Sequence, residues 1–438
     1  MPYRNIRLHP VLRLLYFFFR IIAWVGVGVF FRRRIVLGSE HFRFDGPAIV
    51  VTNHPSTLMD VFNPGLPIRQ EMFFLANYGL FKNPFSNWLL TRLFCIPVKR
   101  REDVAEGEAR DNNAAFERSF EHLEKNGVLF IAAEGTSWMN RRVREFKTGA
   151  ARIALGAEAR NGWHLGVKII TVGLSYSAAN LFRSDVVVNC GEPLNVQAWA
   201  EAWRHDPEKA VDNLTAELQR RVTALTVHTR DEAGEQFVDR LEEMLRNERP
   251  LPLRQSFFRT KYVADTQLDN TELREQTARY FDDLKNAAVS DLGLRTSAAP
   301  DAAKRNIADI FALFAGFLPF ATGYCFWFLP CYLPWLLNKK MDLYIGYSST
   351  VKILAGWITF PLAMWAAYKW IPALMGWPNT GFAIVLLLVA LGFFAERYLD
   401  LAKKVRARTR AMRFAKTHPE KYDTLLVLRR EILTATGL

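Results

Sequence analysis

The chain has 438 residues, enough for two to three domains with a full core, and its 50% hydrophobic and 23% charged make-up excludes a disordered or fibrous protein. Lys plus Arg number 57 against 44 for Asp plus Glu, a formal charge of +13 that suits nucleic acid, phosphorylated metabolites or an acidic membrane face. The 33 Phe and 12 Trp, many in long uncharged runs, favour the membrane, and no nucleic-acid fold signature accompanies the charge.

Residues 11–31 are mostly apolar and end at Arg32, Arg33 and Arg34. Arg13 and Arg20 interrupt the run seven residues apart, on one side of a helix, so residues 1–34 are expected to hold an interfacial or membrane helix. A signal peptide fits poorly, because Arg20 breaks the apolar stretch and no small-residue cleavage site follows.

Residues 35–193 read as an α/β domain. Short apolar runs at 48–51, 128–131 and 167–172 look like buried strands, and helical patterns at 112–125 and 149–161 lie between them. This alternation predicts a mainly parallel central sheet with flanking helices. Residues 194–306 are charged and helical by pattern, notably at 211–229 and 235–246, and are expected to form a helical insertion. Residues 297–300 look like a hinge before a transmembrane region at 307–400.

Residues 310–337 carry no charge but contain Gly316, Pro319, Pro330 and Pro334. As one straight helix they would run about 42 Å, beyond a hydrocarbon core of about 30 Å. The expectation is a Pro-broken hairpin or re-entrant element, with a single span at 310–337 as the second reading because it would push one basic segment outside, followed by a transmembrane hairpin at 353–368 and 380–395. That arrangement keeps Lys339, Lys340 and the basic tail at 401–438 on one, cytoplasmic, side, with the catalytic domain there too (on the inner membrane, in a bacterium).

Cys95, Cys190, Cys325 and Cys331 form no CxxC pair and read as small buried hydrophobes; the eight histidines are scattered, so no metal site is expected.

The informative stretch is Gly46 to Asp60, GPAIVVTNHPSTLMD. A buried strand runs into Asn53 and His54, and Pro55 suits the first position of a helix. His54 would then sit at the mouth of a sheet, near unpaired helix N–H groups. Asp60 lies six residues on, about 240° away on a straight helix, so the two meet only if the chain bends at Pro55 or His54 lies outside the helix. If they meet, Asp60 fixes the imidazole tautomer and leaves a general base.

Glu134, Gly135, Thr136 and Ser137 follow another strand; the glycine lets backbone approach a ligand, the hydroxyls suit an anion, and Glu134 suits either a cap or a site. Lys99, Arg100 and Arg101 follow an apolar run, and Arg141, Arg142, Arg144 and Lys147 form a second basic group, together suggesting a phosphate site.

These elements, in this order, resemble the glycerophospholipid acyltransferase family, whose hallmark is an Asn-His-x4-Asp box with three further blocks. Asn53, His54 and Asp60 match the first block, though five residues rather than four separate His from Asp, as in the yeast-type glycerol-3-phosphate/dihydroxyacetone-phosphate branch. Ile96 to Arg100 resembles the second block, Ala132 to Gly135 the third and Ile170 to Val172 the fourth; Ala132, Ala133 and Thr171 replace its Phe-Pro and Pro.

The resemblance implies a membrane-bound enzyme of phospholipid biosynthesis. It would move an acyl group from acyl-CoA or acyl-carrier protein to the hydroxyl of a glycerol-phosphate-type acceptor, lysophosphatidate or glycerol-3-phosphate, without cofactor or metal. His54 would be the base and Asp60 its orienting partner. Arg100, Glu134, Gly135, Thr136 and Ser137 would bind substrate, and backbone N–H groups of the His54 turn would hold the oxyanion. Ser56 would be a cap or ligand contact rather than a nucleophile. Alternatives are a different lyso-lipid or amino-acid-derived acceptor, or a non-catalytic membrane lipid-binding scaffold.

Overall fold

The structure, a computed structural model, describes residues 9–99, 112–341 and 344–437. The chain divides into two compact units, Met1–His228 with Tyr344–Thr350, and Thr229–Leu343 with Val351–Leu438. The helical segment expected as one insertion is therefore shared between units, its first part packing with the sheet.

In the first unit, helix α1 (Pro10–Phe30) leads into strand β1 (Phe31–Leu37). The chain continues through β2 (Ala48–Thr52), α2 (Leu58–Gly65), β3 (Met72–Asn77), α3 (Pro84–Leu93), β4 (Cys95–Val98), α4 (Asn113–Glu124), β5 (Val128–Ala132) and α5 (Gly149–Arg160). It closes with β6 (Lys168–Tyr176), β7 (Ser184–Cys190), β8 (Leu194–Asn195), α6 (Ala200–His205) and α7 (Pro207–Leu225). The sheet order is β1-β7-β6-β2-β5-β3-β4, with β8 on β6; only the β6–β7 and β6–β8 pairings are antiparallel. This is the predicted α/β class.

The central strands are buried on both faces, so they read as unbroken apolar runs rather than alternating ones. Ile49, Val51, Leu129, Ile131 and Ile169 face a core closed by α4, α5 and α7. Their neighbours Ala48, Val50, Phe130 and Ile170 face a second core with Phe42, Phe44 and Val61. Parallel register aligns Thr52 with Ala132 and with Val172, so the C-terminal ends of β2, β5 and β6 open at one edge.

Helix α1 turns its arginines toward this unit: Arg20 donates to the Leu66 carbonyl at 2.7 Å and Arg13 pairs with Glu71 at 3.3 Å. Val11, Leu14, Phe17, Ile21 and Trp24, spaced by three and four residues, stay exposed on another face. An amphipathic helix with this division is built to lie against lipid.

The second unit holds α8 (Glu232–Glu248), α9 (Leu253–Thr266), α10 (Thr271–Asn286), α11 (Asp291–Ser297), α12 (Ala302–Ala315) and α13 (Phe317–Lys340). It also holds α14 (Ser348–Met375) from Val351 onward, α15 (Gly381–Thr417) and α16 (Pro419–Ala435). Residues 310–337 are not a broken hairpin: α12 and α13 meet at Gly316, and α13 runs on through Pro330 and Pro334. Pro334 leaves the Pro330 carbonyl without its helical donor, and the Thr359 hydroxyl supplies one at 3.0 Å.

Cys325 and Cys331 are exposed, not buried as expected, on this mostly apolar helix. The basic tail is ordered helix as well. Within it, Arg408 pairs with Asp309 at 3.0 Å, and Arg429 donates to Asp291 at 2.8 Å. Among the described residues, four helices, Pro10–Phe30, Phe317–Lys340, Ile345–Met375 and Gly381–Thr417, are long and apolar enough to cross a membrane, and they mark the chain as membrane-associated.

Candidate active site

The sheet's open edge gathers two loops. After β2 the chain does not enter a helix at Pro55 as expected; Asn53 to Thr57 form a turn and α2 starts at Leu58. The delay comes from Thr57, whose φ of 46° and ψ of −113° place a β-branched residue where helix cannot start. Asn53 anchors the turn by a two-way clamp on Leu174 of β6, donating to its carbonyl at 2.9 Å and accepting its N–H at 2.8 Å.

Because His54 lies outside the helix, it meets Asp60: Nδ1 is 2.9 Å from Oδ2. Asp60 is fully buried and its remaining capacity is filled, Oδ2 accepting the Ser56 N–H at 2.6 Å and Oδ1 the Tyr176 hydroxyl at 2.8 Å. Burial first, then the adjacent Asp60 carboxylate, raise the Tyr176 phenol well above its ordinary range, so it stays a neutral donor. Asn63 donates to Tyr176 at 3.2 Å, and Arg34 donates to the Asn63 side chain at 3.0 Å and to its carbonyl at 2.6 Å. A hydrogen-bonded chain thus runs from Arg34 to the imidazole, fixing Asp60 as an acceptor for Nδ1–H and leaving Nε2 as the ring's basic nitrogen. The His54 side chain keeps 13% exposure, against none for Asp60.

The second loop follows β5. Glu134 is buried and Oε1 accepts the His54 N–H at 3.2 Å, while the Trp138 N–H donates to the His54 carbonyl at 2.9 Å. The second loop therefore grips the backbone of His54 at both its N–H and its carbonyl. Burial pushes the Glu134 carboxyl up to about 8; the His54 N–H opposes this and nearby Asp60 reinforces it. Gly135 has φ of +74°, a conformation that explains the glycine. Thr136 is exposed at the loop tip, whereas Ser137 is buried, its Oγ accepting the Thr57 N–H at 3.3 Å.

The expected oxyanion donors are already used. The N–H groups of His54, Ser56, Thr57 and Leu58 bond Glu134, Asp60, Ser137 and Thr350, and Pro55 has none. Arg100 lies outside the described residues. Arg144 stacks over the Trp138 ring at 4.8 Å, and among the described residues the buried Nε atoms of Arg142 and Arg144 have no hydrogen-bond partner, leaving two cations with open donors beside the loop. His122, by contrast, is held down at about 4 by burial with Nε2 3.1 Å from the Val128 carbonyl, a structural neutral histidine. No group of His, Cys, Asp and Glu among the described residues is arranged to hold a metal ion.

Sequence reasoning did not find Tyr176 or Asn63. The signal for Tyr176 was available, a polar aromatic at the end of an apolar strand neighbouring β2. Asn63 carried none, since one asparagine inside a short helix has many uses.

The histidine and its buried carboxylate lie at the open edge of a mainly parallel sheet, and this part of the chain is similar to known acyltransferases. Residues 33–175 match the Acyltransferase family model. Glycerol-3-phosphate O-acyltransferase 2 of Saccharomyces cerevisiae is 31% identical over 125 residues, 28% of this chain and 17% of that protein. The chloroplastic 1-acyl-sn-glycerol-3-phosphate acyltransferase LPAT1 of Arabidopsis thaliana is 28% identical over 133 residues, 30% of this chain and 35% of that protein. A solved structure of the 1-acyl-sn-glycerophosphate acyltransferase PlsC from Thermotoga maritima matches 48% of this chain and 81% of its own, at 22% identity and a TM-score of 0.33. The stretch matched by the family model contains both loops described above, with His54, Asp60 and Glu134. The similarity spans well under half the length of these curated relatives.

Proposed function

We propose that the protein transfers a fatty acyl group from acyl-CoA or acyl-carrier protein to the hydroxyl of a glycerol-phosphate-type acceptor, glycerol-3-phosphate or lysophosphatidate, at a membrane surface. The observation that carries this reading is the 2.9 Å contact between His54 Nδ1 and a fully buried, fully bonded Asp60. Nε2 takes the proton from the acceptor hydroxyl as its oxygen attacks the thioester carbon. The tetrahedral oxyanion collapses with cleavage of the C–S bond, and the imidazolium returns the proton to the departing thiolate. Asp60 stabilises the imidazolium in between. No enzyme nucleophile takes part, which agrees with Ser56 being committed to hydrogen bonds inside the fold.

The oxyanion needs donors beyond the His54 turn. The backbone N–H groups of Thr136 and Ser137, directly after left-handed Gly135, serve that role best. Arg142 and Arg144 offer unfilled donors for the acceptor phosphate, with Arg100 joining them by the family pattern. Glu134, neutral at physiological pH in the free site, can donate as well as accept toward the glycerol hydroxyls. No metal or cofactor takes part. The exposed apolar face of α1 places this chemistry at the lipid surface, on the cytoplasmic side if the basic segments obey the charge rule.

The test is a panel of acceptors incubated with acyl-CoA or acyl-carrier protein, with products identified by mass spectrometry. Glycerol-phosphate acceptors should be acylated, and His54→Ala should remove about 10²- to 10⁴-fold of the rate. A folded His54→Ala protein with full activity refutes the reading.

A further inference from the structure

The segment Tyr344–Thr350 lies far along the chain from the active-site loops, yet it packs within their unit. Ser349 Oγ is 2.8 Å from Ser56 Oγ, and Thr350 Oγ1 is 2.6 Å from Thr57 Oγ1. Both pairs are separated by 293 residues, so the two segments run side by side in register. Thr350 Oγ1 also accepts the Leu58 N–H at 3.3 Å, and the Gly346 carbonyl accepts the Thr57 hydroxyl at 3.2 Å. Tyr344 reaches the other loop, its hydroxyl accepting the Met139 N–H at 3.3 Å and its ring meeting Trp138 edge-on at 6.4 Å. Ser349 is 1% exposed, so its hydroxyl does not serve solvent.

Thr57 explains what they do. A threonine at φ 46° is strained and persists only where its surroundings over-determine it. Here four contacts hold it: Thr350 and Gly346 on its hydroxyl, Ser137 on its N–H, and Thr350 again on the next N–H. Its conformation sets the direction of the preceding Ser56 N–H, which lies 2.6 Å from the same Asp60 oxygen that faces His54.

We infer that Ser349 and Thr350 are positioning residues, a hydroxyl clamp that holds the strained Thr57 turn so that Asp60 keeps the His54 imidazole aimed. They touch neither the imidazole nor the carboxylate. The clamp heads α14, so the catalytic turn is braced by the first residues of a candidate membrane helix. This rests on His54 being the base.

The experiment uses the full chain in lipid nanodiscs, with steady-state kinetics and thermal melting for Thr350→Val, Ser349→Ala, Thr350→Ser and His54→Ala. Thr350→Val removes the hydroxyl at constant volume. It should lower kcat about ten- to hundredfold with KM for both substrates nearly unchanged, the expected effect of a misplaced base. Thr350→Ser, which restores the hydroxyl, should recover most of that rate. Glycine accepts positive φ without a brace, so adding Thr350→Val to Thr57→Gly should cost much less than adding it to the parent, a non-additivity that marks the coupling. If Thr350→Val does not fold, Ser349→Ala is judged by the same kcat criterion. Wild-type kcat in the clamp variants beside an inactive His54→Ala overturns the clamp alone, and an active His54→Ala overturns the base it serves. A raised KM with lowered melting temperature that Thr350→Ser fails to restore reduces the segment to general packing and also overturns the inference.

Discussion

Glu134→Gln tests the electrostatics of the site directly. The side chain keeps its size, and its amide oxygen can still accept the His54 N–H. What disappears is a carboxyl that burial pushes from 4.5 up to about 8. Between those values the folded protein holds a proton that the unfolded chain has released, so wild-type stability falls as pH rises through the window. The loss is about 1.4 kcal/mol per pH unit, or about 2 kcal/mol between pH 6 and 8, where the slope begins to flatten. Glutamine does not titrate and carries no such loss. The gap in melting temperature between variant and wild type should therefore widen in favour of the variant by roughly 4–8 °C from pH 6 to pH 8. Melting both proteins across that range, followed by near-ultraviolet circular dichroism, checks it. A gap that stays constant with pH would show that Glu134 is ionised in the fold, and the neutral-donor role would go with it.

The other predictions concern single contacts around the same histidine. Asp60→Asn should lower kcat severely while leaving acceptor KM close to wild type, because the imidazole loses its partner and its tautomer control; steady-state kinetics reads both. Tyr176→Phe leaves Asp60 Oδ1 buried without its donor, which should cost about 1–3 kcal/mol in denaturant unfolding. Gly135→Ala has room beside Lys147, whose Cγ would lie 3.5 Å away, but it must adopt φ +74°; a loss of about 1–2 kcal/mol with a reduced rate is expected, and melting plus initial rates measure both.

The strands at the centre were legible because burial on both faces leaves an unbroken apolar string, as in Ala48–Thr52 and Val128–Ala132. The edge was not. β1 begins FRRR, and an arginine triplet after an apolar helix looks like a membrane stop rather than a strand. Its arginines are spent individually, Arg33 on Asp185 at 3.0 Å and Arg34 on Asn63 at 3.0 Å, across distances in sequence that no local pattern encodes. Helix α13 escaped the expected break for a similar reason, since the donor that replaces Pro334's missing N–H comes from Thr359 on another helix.

The active site divides along the same line. His54, Asp60 and the Glu134 loop are legible as candidates because proton transfer needs those residue types, and His54 and Asp60 meet because His54 lies outside the helix. The backbone of the turn was not readable, because Thr57 is a poor candidate for positive φ and only its tertiary partners make it tenable. That unreadable conformation has consequences. It consumes the N–H groups of His54, Ser56, Thr57 and Leu58, which is why the proposed oxyanion donors are sought in the loop after β5. It also recruits Ser349 and Thr350, two hydroxyls that in sequence look only like the polar start of an apolar helix. The proposed base and its carboxylate, six residues apart, are thereby tied to a segment nearly three hundred residues away, because local sequence alone could not hold the turn that joins them.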